Sequence, residues 1–550
     1  MKRKRQSLFL FIFFLVTALL ITYPAFKIGT FKTTIDGEIH FIKLLSIEDA
    51  FKHGELPPLV NFIGYRNIGT AFNGMYPWIT SLIFIIPQVL LSKPVTALFI
   101  GFIILNILTQ LNMYLLTRVL TKELLWRLLG VLVYELNTYH LTVMYARVAL
   151  GEMLAYAFLP LVFLGCFQIW QKEARGSISL GLGLGMIVNA HVITGLYTCL
   201  IVGILCIPLR KMSWPELKLY ILSGLIALLI ASYTLYTMLS IMLYNNLITP
   251  FKNLGTTDPN QILQSLLANN ISDIRAWNIG IVAAIIMIFM GSKVFKNISG
   301  QWKNWIIASY GLLFLTFSWF SYSKELRHSF LGNIQFTARL LTFVVLFLMI
   351  GTVLYLDRYG KTLSKQMTLS LATLALLGLG MLGVSAYHDN KTEGYSPIFY
   401  LSDKDYVATL TKGQDGWGDY MISKKKGKKE PVIDSNNINT HFLNDFSVKD
   451  QSYSGITFTF DLAKAKQVKL PFILYDHVAY TIKVNGKAIT DFDQGHVLTL
   501  EAKRGTNNVQ ISSKAPKLSY VMFGISLLTI IWMSVVLGYL TWNYKEKIYE

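Results

Sequence analysis

Apolar runs of about 18 or more residues recur along most of this chain, separated by short basic turns, and each is long enough to cross a hydrocarbon core of about 30 Å. Backbone inside lipid must satisfy its own N–H and C=O groups, so these runs predict helices. The pattern predicts a polytopic α-helical membrane protein of about twelve spans. They fall near 8–26, 96–117, 124–141, 150–170, 178–190, 192–208, 217–243, 276–296, 304–321, 336–356, 366–386 and 518–542. The run Trp78–Leu90 is shorter and reads as a re-entrant or interfacial segment, because counting it as a crossing puts Arg118, Lys122 and Arg127 outside. Ile178–Leu209 reads either as one kinked helix or as two short ones turning at 189–191.

Two polar stretches interrupt the apolar pattern. In the first, residues 27–75, the segment Glu38–His53 sets Phe41, Leu44, Leu45 and Phe51 among charged neighbours, which predicts an amphipathic helix lying on the membrane surface. Gly64, Gly69 and Gly74 then mark an irregular loop. In the second, 388–515, short alternating runs such as ITFTFDL and YTIKV are divided by turn signals including Asn485-Gly486, a β-sandwich pattern. The expected organisation is a transmembrane part over 1–387, a β-rich domain over 388–515, and a final helix with a tail over 516–550.

Composition supports lipid as part of the solvent: 53% of residues are hydrophobic and 15% charged, with mean hydropathy +0.46. The net charge of +19 does not point to nucleic acid, because the basic residues sit in short turns, as at Lys2–Arg5, Arg210-Lys211 and Arg358 with Lys361. That distribution is the positive-inside pattern. It predicts cytoplasmic N- and C-termini and an extracytoplasmic β-rich domain in a bacterial cell membrane. The run Leu8–Phe26 is longer than a signal-peptide core and lacks a small-x-small cleavage site, so an uncleaved first span is expected. Cys166, Cys199 and Cys206 all fall in apolar runs, which supports neither a disulfide framework nor a cysteine zinc site.

With this topology the polar residues that break apolar surroundings gather on the outer face. Asp36, Glu38 and His40 follow the first span, Arg66 and Tyr76 share its loop, Tyr145, Arg147 and Glu152 open a later span, His191 sits at an outer turn, and Gln335 and Arg339 open another helix. An ionised side chain at mid-bilayer costs about 2.5–3.5 kcal/mol on insertion scales, so Glu152 and Arg339 call for partners or a wet cavity. Each residue also has a structural alternative. Asp36 serves equally as a helix N-cap, Arg147 and Glu152 as a helix-pinning ion pair, and Arg339 as a snorkelling cation; His191 fits helix packing, and His40 and His53 fit a surface.

The segments DGEIHFIKLLSIEDAFKHGELPP, NGMYPW, YARVALGE and GNIQFTARLL resemble the bacterial YfhO-type membrane proteins, over essentially the whole chain. Some members of that family carry the label pyruvoyl-tetrahydropterin synthase-related, but no three-histidine zinc constellation accompanies it here. The resemblance implies a GT-C-like fold and a glycosyltransferase that moves a sugar from a polyprenyl-phosphate donor to a cell-envelope polymer such as lipoteichoic acid. It implies Asp36 as the catalytic acidic residue of the first outer loop, with Glu38 in reserve. A carboxylate there deprotonates an acceptor hydroxyl or holds a divalent metal, although no ligand cluster marks a metal and no nucleotide-binding glycine motif appears. Arg147, Arg339 and Arg66 suit the lipid phosphate, with Tyr76 and Trp78 near the sugar or the lipid. Similar proteins often have proline before the arginine, where this chain has Thr337-Ala338. Two other classes fit the same residues: a transporter or flippase of a lipid-linked substrate, and a non-catalytic scaffold whose β-sandwich binds glycans, with Trp417, Tyr420, Tyr475 and Tyr480 as stacking surfaces or core.

Overall fold

The computed structural model describes residues 2–206, 212–271, 277–296, 299–361, 364–390, 398–411, 418–425, 430–433 and 446–543. Trp417 and most of the basic run at 424–429 lie outside the described residues. Among the described residues six helices are long and apolar enough to cross a membrane: Arg5–Phe26, Pro94–Leu120, Leu150–Trp170, Thr337–Tyr359, Lys365–Asp389 and Lys517–Thr541. The pair Trp214–Ile230 and Ser232–Met242, bent by 67°, gives a seventh if it counts as one span. The remaining expected crossings are shorter pieces such as Arg175–Val188, Val192–Ile204 and Ile281–Phe295, so length and composition do not reach twelve. Segment 79–90 is likewise a short apolar helix, with Pro87 inside it.

Leu150–Trp170 is the hub of the bundle, 94% buried over its apolar window, whereas the last helix is 11% buried and lies at the edge. Small residues let the hub's neighbours close in. A Cβ on Gly165 would stand 2.4 Å from the Leu180 amide nitrogen, and one on Gly183 would stand 2.9 Å from the Val162 amide nitrogen, so the two helices touch backbone to backbone.

The helix Ile35–Lys52 does not lie on a surface. Glu38, His40, Phe41, Lys43 and Leu44 are all buried. It is covered by loop 55–76, whose Tyr65 hydroxyl donates to the Ile39 carbonyl at 2.7 Å, and by the β-rich region, whose Tyr453 amide donates to Asp49 Oδ2 at 2.9 Å, so of its charged side chains only Asp36, Asp49 and Lys52 stay accessible. Strand Thr30–Thr34, ahead of this helix, pairs antiparallel with Ile398–Ser402, with Phe31 opposite Leu401, so the first polar stretch and the start of the second form one ribbon. Lys32 clamps that ribbon to the helix Lys365–Asp389 by donating to the Tyr387 and Asn390 carbonyls at 2.9 and 2.7 Å, where a cation complements a helix C-terminus.

The alternating segments form a five-stranded antiparallel sheet in the order Ser447–Ser452, Gly455–Leu462, Gly505–Ser513, Tyr480–Val484, Lys487–Ile489, faced by the pair His496–Ala502 and Lys466–Leu474. Phe458, Leu470, Phe472, Leu498 and Ile511 fill the space between them. This core continues into loop 59–75: Phe62 stacks on Phe472 at 5.5 Å, and the Ile473 amide donates to the Ile68 carbonyl at 2.8 Å. Gly69, at φ +74°, brings its backbone so close to Phe472 that a Cβ would stand 2.6 Å away. Tyr475 is fully buried and donates to the Tyr420 carbonyl at 2.9 Å, so it packs the core and presents no stacking surface.

Candidate functional site

Four helices begin at one place: Ile35–Lys52, Leu150–Trp170, Val192–Ile201 and the segment that opens at Thr337. Their N-terminal N–H groups and dipoles make that end electropositive, and the sequence answers with acids in two first turns, Asp36 and Glu152. Asp36 lies two residues past the N-cap position, which Thr34 occupies without a side-chain cap, so capping does not account for it.

At the centre Glu152 holds both arginines. Arg147 Nη1 donates to Oε2 at 2.8 Å and Arg339 Nε donates to Oε1 at 2.5 Å. Arg147 Nη2 also stands 3.5 Å from Asp36 Oδ2, and its guanidinium lies 5.1 Å from the Trp277 ring centroid. Arg339 Nη1 donates to the Ile334 carbonyl and to Gln335 Oε1, each at 3.0 Å, so it is paired and does not snorkel. Gln335 is aimed by its own backbone, at φ +60°, and donates from Nε2 to the Phe251 carbonyl.

Arg147 is presented by a tight crossing. Thr34 Oγ1 donates to the Arg147 carbonyl at 3.1 Å, and Val148 adopts φ +51°, which a β-branched residue rarely tolerates. Gly37 permits the approach, because a Cβ there would stand 2.9 Å from Val148 Cβ and far inside contact distance of Thr33 Oγ1.

A second layer of rings lies beside the ion cluster. His40 is 5.0 Å from the Tyr76 ring, and Tyr76 is 6.2 Å from that of His191. Lys43 Nζ donates to the Pro77 carbonyl at 3.0 Å and sits 4.2 Å over the Tyr76 ring. His40 is buried, not a surface residue, and its Nδ1 finds no hydrogen-bond partner. Burial, then the Lys43 ammonium, His191 and Arg147, push the His40 imidazole well below the ordinary histidine range. Burial and the Arg339 charge push His191 down to about 3, and its Nδ1 meets Thr194 Oγ1 at 2.8 Å. Both imidazoles are therefore neutral near pH 7, each with one donor and one acceptor nitrogen. A cavity of about 20 Å³, bordered by Glu152, Thr194, Tyr197 and Arg339, leaves room for about one water beside the carboxylate.

Asp36, His40, Tyr76, Arg147, Glu152, His191, Gln335 and Arg339 are thus brought together. Asp36, His40 and Lys43 share one helix face at i, i+4 and i+7, from which Glu38 points away, buried beside Tyr65. Arg66 stands in the left-handed turn Tyr65–Asn67, whose Asn67 Oδ1 accepts from Gln451, so that turn belongs to the junction with the β-rich region. Trp78 is buried against Tyr233 and Phe523 as packing, and Tyr145 is spent on Thr22 and Asn106. Lys43 and Trp277 were not singled out from the sequence; the spacing of Asp36, His40 and Lys43 is the signal for Lys43, whereas Trp277 arrives by tertiary packing alone. Among the described residues no group of three His, Cys, Asp or Glu could hold a metal ion.

No family model matches the chain. No curated protein matches it either. Two solved structures, arabinofuranosyltransferase AftD from mycobacteria and a mutant of it, overlap 68% of this chain at 14% identity, with TM-scores of 0.47 and 0.46. The chain spans about a quarter of their length, 27%, and a likeness at this level carries no argument about chemistry.

Proposed function

We propose that this membrane protein is a glycosyltransferase of GT-C type, which moves a sugar from a polyprenyl-phosphate donor to an extracytoplasmic cell-envelope polymer such as a teichoic acid. The observation that carries the reading is the grouping of Asp36 with Arg147, Glu152 and Arg339 where four helices begin. In this reading the helices make about twelve crossings, both termini are cytoplasmic, and the segment 388–515 stands outside as a β-rich domain.

Asp36 is the most open acid of the group, its side chain 36% exposed against 9% for Glu152, and in this reading it accepts a proton from an acceptor hydroxyl. The hydroxyl oxygen then bonds to the anomeric carbon as that carbon's bond to the donor phosphate breaks, and the polyprenyl phosphate leaves with the electron pair. Arg147 and Arg339 stabilise that leaving charge, because Glu152 uses only part of each guanidinium's five donors. Glu152 is the residue that aims them. Gln335, His40, Tyr76 and His191 supply neutral polar groups to a sugar, the Tyr76 ring itself being stacked on Phe72 and overlain by Lys43.

The test compares wild type with Asp36→Asn, matched for membrane expression, for incorporation of labelled sugar from a polyprenyl-phosphate pool into envelope polymer. Loss of transfer in a folded variant supports the reading. Unchanged incorporation removes Asp36 from the chemistry and moves the transporter and scaffold readings ahead.

A further inference from the structure

The last helix is docked at one end and stands off at the other. Near its start Phe523 packs 5.8 Å from Trp78 and 5.6 Å from Tyr233, Ser526 donates to the Ile230 carbonyl, and Ser232 donates to the Met522 carbonyl at 3.1 Å. From Ile530 onward the same helix borders an open-sided groove of about 560 Å³, bordered also by helices Lys2–Phe26, Pro94–Leu120, Leu150–Trp170 and Arg175–Val188.

The walls and the lip of this groove differ in kind. Leu10, Leu111, Leu161, Leu182 and Leu537 line its depth, whereas Gln6, Ser7, Arg118 and Thr541 border it where the first helix starts and the second and last helices end. A groove with this much apolar wall gives water few partners along its leucines and favours an apolar group there. Four of its polar groups, one of them a guanidinium, collect at one mouth, while Asn112, Tyr114 and Ser534 lie along the walls, where Asn112 is spent on the Ala157 carbonyl at 2.8 Å. That is the complement of a single amphiphile with an anionic head. Arg118 stands close in sequence to Lys122 and Arg127, and Gln6 follows the basic run Lys2–Arg5; the positive-inside rule puts this mouth at the cytoplasmic leaflet, where anionic lipids concentrate.

We propose that the groove binds one anionic diacyl phospholipid of the cytoplasmic leaflet, its phosphate at Arg118 and its acyl chains along the leucine wall, so that lipid completes the packing of the last helix. The mouth at Arg118 opens at the opposite end of the bundle from the ion cluster at Glu152, and the proposal does not rest on the transferase reading.

Full-length protein in neutral detergent is titrated with dioleoyl phosphatidylglycerol or dioleoyl phosphatidylcholine, and bound lipid is counted by native mass spectrometry. Wild type is expected to bind the anionic lipid about fivefold more tightly, the effect of one basic side chain at a headgroup. Arg118→Gln is expected to level the two lipids and Arg118→Lys to keep the preference. Gly538→Leu is expected to lose both, because a Cβ at Gly538 meets nothing within 4 Å and the new side chain enters the groove. Equal affinity of wild type for the two lipids overturns the headgroup assignment, and undiminished phosphatidylglycerol binding by Gly538→Leu overturns the site. Should Arg118→Gln fail to fold, those two results still decide.

Discussion

Glu152 Oε1 accepts from Arg339 Nε at 2.5 Å, which ties the first turn of one membrane helix to the start of another 187 residues on. The other oxygen of that carboxylate holds Arg147, so one largely enclosed acid pairs with two guanidiniums, of which Arg147 also faces Asp36. Removing one partner from such a group leaves charge buried without compensation, and the cost of that exceeds the net worth of the intact pair. Glu152→Gln keeps the shape and removes the charge. It is expected to lower stability by roughly 3–5 kcal/mol, read as a depressed unfolding midpoint in detergent. An unchanged midpoint would mean that the two arginines find other anions.

Asp36 and Glu38 are separable by the same kind of measurement. Asp36 is over a third exposed and 3.5 Å from Arg147, so its ion pair contributes at most about 1 kcal/mol to stability. Asp36→Asn should therefore leave the unfolding midpoint nearly in place while transfer falls by roughly 10²–10⁴, the usual worth of a positioned base. Glu38 is buried on another face of the helix. Glu38→Gln should move stability more than turnover, and a variant that keeps wild-type stability but loses transfer would exchange the two roles.

The apolar periodicity made the full-length membrane helices legible, and the alternation in ITFTFDL and YTIKV did the same for the sheet, because both follow from one residue's environment repeated along the chain. Pairing across the chain was harder to read. Ion partners such as Arg339 and Glu152 were suspected because lone charges in apolar runs demand company, yet their common attachment to one carboxylate is set by how helices pack. The helix Ile35–Lys52 misled for a related reason. Its charges suggested an aqueous face, but Lys43 is satisfied by the Pro77 carbonyl and the Tyr76 ring under a roof supplied from residues 55–76 and beyond. Amphipathicity reports that a helix has two faces and not what covers each.

Gly151 lies beside Glu152, and a Cβ at that position would stand 2.5 Å from the Tyr76 hydroxyl, 3.0 Å from the Ala190 carbonyl oxygen and 3.1 Å from His191 Cδ2. One of these contacts is backbone and cannot swing aside. Gly151→Ala should cost about 1–3 kcal/mol through overpacking and should displace the ring layer. The expected kinetic signature is a raised KM for the lipid donor with a smaller change in kcat, measured on protein reconstituted in vesicles. Wild-type kinetics in this variant would detach Tyr76 and His191 from substrate.

Stability should fall in mild acid, above the range in which ordinary carboxylates protonate. His40 and His191 are held below the ordinary histidine value of 6.5, His191 at about 3, chiefly by burial. Between pH 6.5 and these lower values the unfolded chain binds protons that the folded chain refuses, so the unfolded state gains as pH drops. Stability is thus full above pH 6.5 and is lost progressively on going down from it, at up to about 1.4 kcal/mol per pH unit for each histidine. Unfolding midpoints measured between pH 7.5 and 5 should decline with a slope that His40→Gln reduces, since one titrating group is removed. A midpoint flat across this interval would show that protons or water reach these rings in the folded protein, and that the ring layer is open to solvent.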